Sequence, residues 1–213
     1  MKILEGLYAF IWRGRSENNC NTYFIEGRKR ILIDPGHSHL LRHVEASLKK
    51  INRQLHEMDV LLVTHGHPDH LEGVTAFDER ALFGMGGAEY QWLQQYAGHY
   101  FKCPVPDFFL QEGDLTIGDE AFEVLVTPGH SLASICLYWA KHKVLFTGDV
   151  VFNRSIGRSD LPGGNGAQLK ASIEKLASLD VEYLLSGHGE PVTGKEAVRK
   201  NFQIIKEAWF PYL

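Results

Sequence analysis

Short apolar runs rich in β-branched and aromatic residues alternate along the chain with polar breaks marked by glycine or proline. The pattern predicts strands near residues 3–12, 20–26, 30–34, 58–64, 121–127, 134–140, 143–147 and 181–186. Three stretches carry the helical period instead. Leu41, Val44, Leu48 and Ile51 put an apolar stripe on 38–51, and Leu169, Ile173, Leu176 and Leu179 do the same on 167–179. A third helix is expected over 194–209, running into an aromatic tail. The early strands are close enough for an antiparallel meander and the later ones are separated by helices, so the class is α/β. Gly84, Gly86 and Gly87, a helix through Tyr90, Leu93 and Ala97, and the Pro104-Val105-Pro106 break set off residues 84–113. Two readings of that segment stand: a lid-like insertion over one end of the fold, or a helix completing the core. No linker, repeat or low-complexity tract divides the rest, and 1–213 is expected to form a single domain.

Composition changes this picture at one point. The apolar and charged fractions, 44% and 23%, are those of an ordinary soluble globular chain. A formal charge of -4 gives no electrostatic ground for a nucleic-acid partner. No uncharged apolar run reaches membrane-spanning length, and Glu5-Gly6 interrupts the N-terminal apolar residues too early for a signal peptide. Cys20, Cys103 and Cys136 are odd in number and form no CxxC pair, which fits a reducing compartment. A cytoplasmic protein without membrane attachment is therefore expected. What stands out is 11 histidines, because most of the chemistry gathers on a few of them.

His65, His67, Asp69 and His70 follow the apolar run 59–64, where a buried strand gives way to a loop. Positions 65 and 67 on an extended segment point their imidazoles the same way. Pro68 suits the first turn of a helix, which sets Asp69 and His70 beside the same loop. Three imidazoles and a carboxylate on one short segment are ligand types that zinc and iron accept. The same placement recurs four times. Apolar runs lead into Asp34-Pro35-Gly36, Pro128-Gly129-His130, Gly148-Asp149 and Gly187-His188-Gly189. Loops at strand ends are where α/β architectures gather a site. Taken singly, Asp34 reads equally as a turn former, and His130 or His188 as a hydrogen-bonded loop histidine. Together they point to a metal.

The series His-x-His-x-Asp-His, Pro-Gly-His, Gly-Asp, Gly-His resembles the metallo-β-lactamase superfamily in order and approximate spacing, from Asp34 to His188. The resemblance implies a four-layer αβ/βα sandwich of two mixed sheets flanked by helices. It implies that His65, His67 and His130 hold one metal and that Asp69, His70 and His188 hold another. Asp149 would bridge the two, and Asp34 would orient the ligands. The metals implied are two divalent ions, zinc first, with iron or manganese as alternatives. The loop from Ser155-Ile156-Gly157-Arg158 to Gly163-Gly164 is similar to that of the short, glyoxalase II-like hydrolases. Those with full-length glyoxalase II architecture carry a further helical domain and a tyrosine near the last motif histidine. Here Gly189-Glu190-Pro191 follows His188.

Two metals ~3.5–4 Å apart share one water and lower its pKa toward ~7, so hydroxide is available to attack a thioester or related ester. Asp69 would orient that nucleophile and later accept its proton, which makes it the catalytic residue of the set. Arg158 is the candidate for holding a substrate anion, against the plain reading of a solvated loop arginine. Tyr90, Trp92, Tyr96 and Tyr100 can wall the pocket or simply pack the core. The partner expected is a small molecule, with the oligomeric state unassigned. A mononuclear-iron persulfide dioxygenase on His65, His130 and Asp149 is the alternative, and a lactonase or other superfamily hydrolase a second one. His67 argues against the flavo-diiron group, which has glutamate at that position.

Overall fold

The run expected as one strand over 3–12 folds as a hairpin of β1 (Lys2–Leu4) and β2 (Leu7–Phe10). Gly6 turns the chain at φ +75°, where an added Cβ would stand 2.9 Å from the Glu26 carbonyl oxygen. The structure, a computed structural model, describes residues 1–96 and 103–213; Ala97 and Tyr100 lie outside the described residues. Two compact units emerge. The first comprises Met1–Leu110 with Ile117–Glu120, and the second Gln111–Thr116 with Ala121–Leu213.

In the first unit, β3 (Thr22–Glu26), β4 (Arg30–Ile33), β5 (Val60–Val63), β6 (Leu82–Gly86) and β7 (Phe108–Leu110) continue the hairpin into one sheet, in chain order. Pairing is antiparallel as far as β4 and parallel from β4 to β7. Parallel pairing needs crossovers, supplied by α1 (Arg42–Lys49), α2 (Pro68–Leu71) and α3 (Gly87–Tyr96). The stretch expected as a helix over 38–51 splits into a 3-10 turn at Ser38–Leu40 and α1. Val44 and Leu48 of α1 pack with Phe24, Leu32, Leu61, Leu71 and Met85. Burying each such side chain stabilises by ~1.5–3 kcal/mol, which fixes the strands whose ends carry the candidate ligands. Both ends of the 84–113 segment are sheet strands. Gly84 admits the Phe108 ring, since a Cβ there would lie 2.4 Å from Phe108 Cζ.

In the second unit, β8 (Gly113–Ile117), β9 (Glu120–Val126), β10 (Ile135–Trp139) and β11 (Val144–Gly148) form a sheet with β14 (Tyr183–Ser186) and β15 (Val192–Thr193), in the order β15-β14-β11-β10-β9-β8. A small hairpin, β12 (Val151–Phe152) and β13 (Ser155–Ile156), follows β11. Helix α4 (Gly166–Ala177) is capped by Asn165, whose Oδ1 accepts from the Gln168 amide at 3.0 Å. Leu169, Ile173 and Leu176 of α4 pack with Leu145, Leu184 and with Phe202 and Ile205 of α5 (Lys195–Ala208). Strands β11 and β14 are parallel neighbours, with Gly148 beside Ser186, so the loops after them start side by side. No helix among the described residues is long and apolar enough to cross a membrane.

Candidate functional site

Strands β4 and β5 pair in parallel, Ile33 beside Leu62, so Asp34 and the His65 loop leave the sheet at one end. Asp34 is buried and sits at φ +54°, a left-handed conformation that Asp tolerates better than most residues. Its carboxylate collects three donors. Oδ1 accepts from the Thr64 amide at 2.8 Å, and Oδ2 accepts from the Thr64 hydroxyl at 2.8 Å and from His70 Nδ1 at 2.9 Å. His70 is thereby the Nδ1–H tautomer, with the lone pair on Nε2. Because the Thr64 hydroxyl donates to Asp34, it accepts from His65 Nδ1 at 3.1 Å, which puts the lone pair of His65 on Nε2 as well. One carboxylate thus sets two imidazoles for metal ligation, as second partners of metal-binding histidines do.

His67 caps α2 and Pro68 occupies its first turn, so Asp69 and His70 sit beside the loop as the sequence predicts. His65 Nε2 and His67 Nδ1 are 3.0 Å apart. Nitrogens held at ~2.0–2.1 Å by a tetrahedral cation stand ~3.3 Å apart, so this pair fits a metal with little adjustment. Asp69 accepts from Asn18 Nδ2 at 2.6 Å, which orients its carboxylate. The glycine between the two histidines leaves room for the Leu93 side chain. A Cβ on Gly66 would lie 2.5 Å from Leu93 Cδ1, and the Gly66 amide donates to the buried Glu89 Oε1 at 3.0 Å. Asn18 and Glu89 are not found from the sequence. Asn18 reads as part of a polar turn, and Glu89 as an ordinary solvent-facing residue of α3.

The second unit has its own convergence. Asp149 Oδ2 lies 3.5 Å from His130 Nε2 and 3.3 Å from His188 Nε2. One carboxylate oxygen lies between two imidazole nitrogens, where it could be shared by ions on either side. His130 Nδ1 donates to the Arg158 carbonyl at 2.7 Å, which makes Nε2 the nitrogen that could ligate a metal. The Arg158 side chain is exposed and forms two hydrogen bonds to Asp160, both at 2.9 Å, holding the Asp160 carboxyl below its ordinary range. The Arg158 carbonyl, unlike its side chain, is in contact with His130. Beside His188 runs an open groove of ≈ 490 Å³ lined by Phe152, Asn153, Arg154, Ser155, Gly189 and Glu190.

Gly157 lets this loop approach. A Cβ there would stand 1.8 Å from the Asp149 carbonyl oxygen and 2.8 Å from His130 Nδ1. Gly157→Ala is expected to push the two ligand-bearing loops apart, at a cost of at least ~1–3 kcal/mol as an overpacked core does. Urea unfolding of the variant checks this; an unchanged midpoint would show that the loops do not need the approach.

Residues 15–188 match the model of the metallo-β-lactamase superfamily. The chain is 31% identical over 200 residues to the hydroxyacylglutathione hydrolase GloC of Haemophilus influenzae, covering 87% of this chain and 92% of that one. Among solved structures, the BLEG-1 B3 metallo-β-lactamase superposes with a TM-score of 0.72 at 30% identity, over 94% of this chain and 96% of its own. The di-iron-bound form of TTHA1623 does so with a TM-score of 0.70 at 28% identity, over 91% and 95%. Two mixed sheets with flanking helices, histidines and aspartates at strand ends that could hold a metal, and a family match over most of the length lead to one conclusion: the chain belongs to the metallo-β-lactamase superfamily, a family of metal-binding hydrolases with the α/β fold expected from the sequence.

Proposed function

We propose that the protein is a binuclear metallohydrolase acting on a small-molecule thioester or related ester, resembling the hydroxyacylglutathione hydrolases. His65, His67 and His130 are proposed to hold one metal and Asp69, His70 and His188 the other, with Asp149 shared and 1–213 acting as one catalytic domain. The observation that carries this is the pair of half-sites: His65 Nε2 and His67 Nδ1 at 3.0 Å in one unit, and Asp149 Oδ2 set between His130 and His188 in the other. Zinc and iron both suit such a donor set, and the likeness to a di-iron-bound protein keeps iron beside zinc.

When bound, the metals supply acidified water at neutral pH and positive charge to polarise the carbonyl. The chain's own groups do the rest. Asp34 holds His70 directly and His65 through Thr64 in the ligating tautomers. Asn18 steadies Asp69, which orients the attacking water and takes its proton. No serine or cysteine nucleophile is required, and Cys20, Cys103 and Cys136 are all buried. The groove beside His188, with Arg154 at its rim, offers a small anionic ester a place to lie.

Metal analysis of protein purified without added metal, followed by assay on S-lactoylglutathione, tests the reading. Two metals per chain with hydrolysis are expected. Two metals without hydrolysis of that or any other thioester would remove the thioester assignment. A single iron with oxygen uptake on glutathione persulfide would replace the hydrolase by a dioxygenase.

A further inference from the structure

The first unit gathers metal-ligating side chains a second time, on residues that the hydrolytic centre does not use. His37, His39 and Glu72 each offer one donor atom, and the three atoms lie within 4.8 Å of one another. We propose that they form a separate outer site for a divalent transition cation of the zinc class. The site would clip the Ser38–Leu40 turn to the Glu72–Ala76 turn.

Two imidazoles and a carboxylate are a donor set that zinc and its neighbours accept, while calcium and magnesium prefer oxygen ligands throughout. His37 Nδ1 already lies 2.8 Å from Glu72 Oε2, and the rings of His37 and His39 are 5.0 Å apart between centroids. His39 Nε2 is 3.2 Å from Glu17 Oε1, so a second carboxylate stands at the rim of the cluster. An ordinary surface ion pair would account for His37 and Glu72. His39 has its own such pair with Glu17, but pairing taken contact by contact does not account for three donor atoms of the zinc-binding types within 4.8 Å of one another, and exposed pairs contribute only ~0–1 kcal/mol.

The backbone beneath is fixed. The Gly73 amide donates to the Gly36 carbonyl at 2.7 Å, the Gly36 amide to the His70 carbonyl at 3.3 Å, and the His37 amide to Asn19 Oδ1 at 2.8 Å. A Cβ on Gly73 would lie 2.9 Å from the Gly36 carbonyl oxygen, so the two turns are as close as backbone permits. Closing on a cation therefore requires side-chain torsions alone, and little ordering entropy remains to oppose it. The side chains of His37 and Glu72 are 20% and 24% exposed and that of His39 56% exposed. Water can thus complete the coordination, and the ion would exchange freely. Bound there, it would stiffen the turns that flank Asp34 and His70.

Zinc alone, titrated in competition with a chromophoric chelator, distinguishes this site from the hydrolytic centre, whose proposed ligands are different residues. Wild type is expected to bind one equivalent more than His39→Ala, or to bind that equivalent at least ~10-fold more tightly. His39 is half exposed, so its loss leaves the fold intact. Glu72→Gln, checked by circular dichroism, should show the same deficit. The His67→Ala chain should keep the outer equivalent while losing an inner one, which separates failure of this proposal from failure of the hydrolase reading. Equal zinc stoichiometry and affinity in wild type and His39→Ala would overturn it.

Discussion

Replacing His67 with alanine is expected to lower hydrolysis by at least ~10³-fold, because the proposed pair of metals loses one member and the attacking water loses the second cation that lowers its pKa and polarises the carbonyl. The fold should survive the change. His67 is half-buried at the start of α2, its extended backbone is open to alanine, and its ring meets His65 edge-on. A half-buried loop substitution of that kind costs about 1 kcal/mol. What disappears is the donor 3.0 Å from His65 Nε2. The expected signature is therefore split: a near-wild-type melting curve for the metal-free protein, one inner metal equivalent fewer, and activity near background. Calorimetry reads the first, atomic absorption the second, and an S-lactoylglutathione assay the third. Full activity in the variant would mean that the centre has been assigned to the wrong residues.

How much of the fold and the centre is visible in the sequence depends on whether the signal is local. Each metal-ligating candidate sits at the end of an apolar strand, and strand ends are readable because the period and the glycine or proline break are both local. That is why Asp34, His65, Asp149 and His188 are found at the ends of β4, β5, β11 and β14. The supports of the site are not local. Glu89 lies on a helix where its spacing reads as solvent-facing, and only the tertiary fold brings it to the Gly66 amide. The Arg158 carbonyl on His130 spans 28 residues and leaves no side-chain mark at all. Strands β6 and β7 escape for another reason. Gly84 and Gly86 lower strand propensity, yet Gly84 is there to receive Phe108. The hairpin at Gly6 is hidden because its first strand is only three residues long and the turn only two.

Asp34→Asn is expected to weaken metal binding by ~10–100-fold, as loss of a histidine's outer partner does, and to destabilise the fold as well. The substitution keeps the size of the side chain, and asparagine tolerates φ +54°. Its fault lies in the hydrogen bonds. If the amide nitrogen takes the place of Oδ1, it faces the Thr64 N–H, and two buried donors oppose each other at a cost of ~1–3 kcal/mol. If it takes the place of Oδ2, it faces His70 Nδ1 and the Thr64 hydroxyl. His70 must then accept at Nδ1 and carry its proton on Nε2, the nitrogen needed for the metal. The Thr64 hydroxyl, now an acceptor from asparagine, turns its proton toward His65 Nδ1 and reverses that tautomer too. Either orientation is penalised, the second by removing two lone pairs through one substitution. Chelator competition measures the lost affinity, and nitrogen NMR of the imidazoles reports the tautomers directly. Wild-type affinity and wild-type stability together, with His70 still protonated at Nδ1, would show that the Asp34 carboxylate is not what sets the two imidazoles.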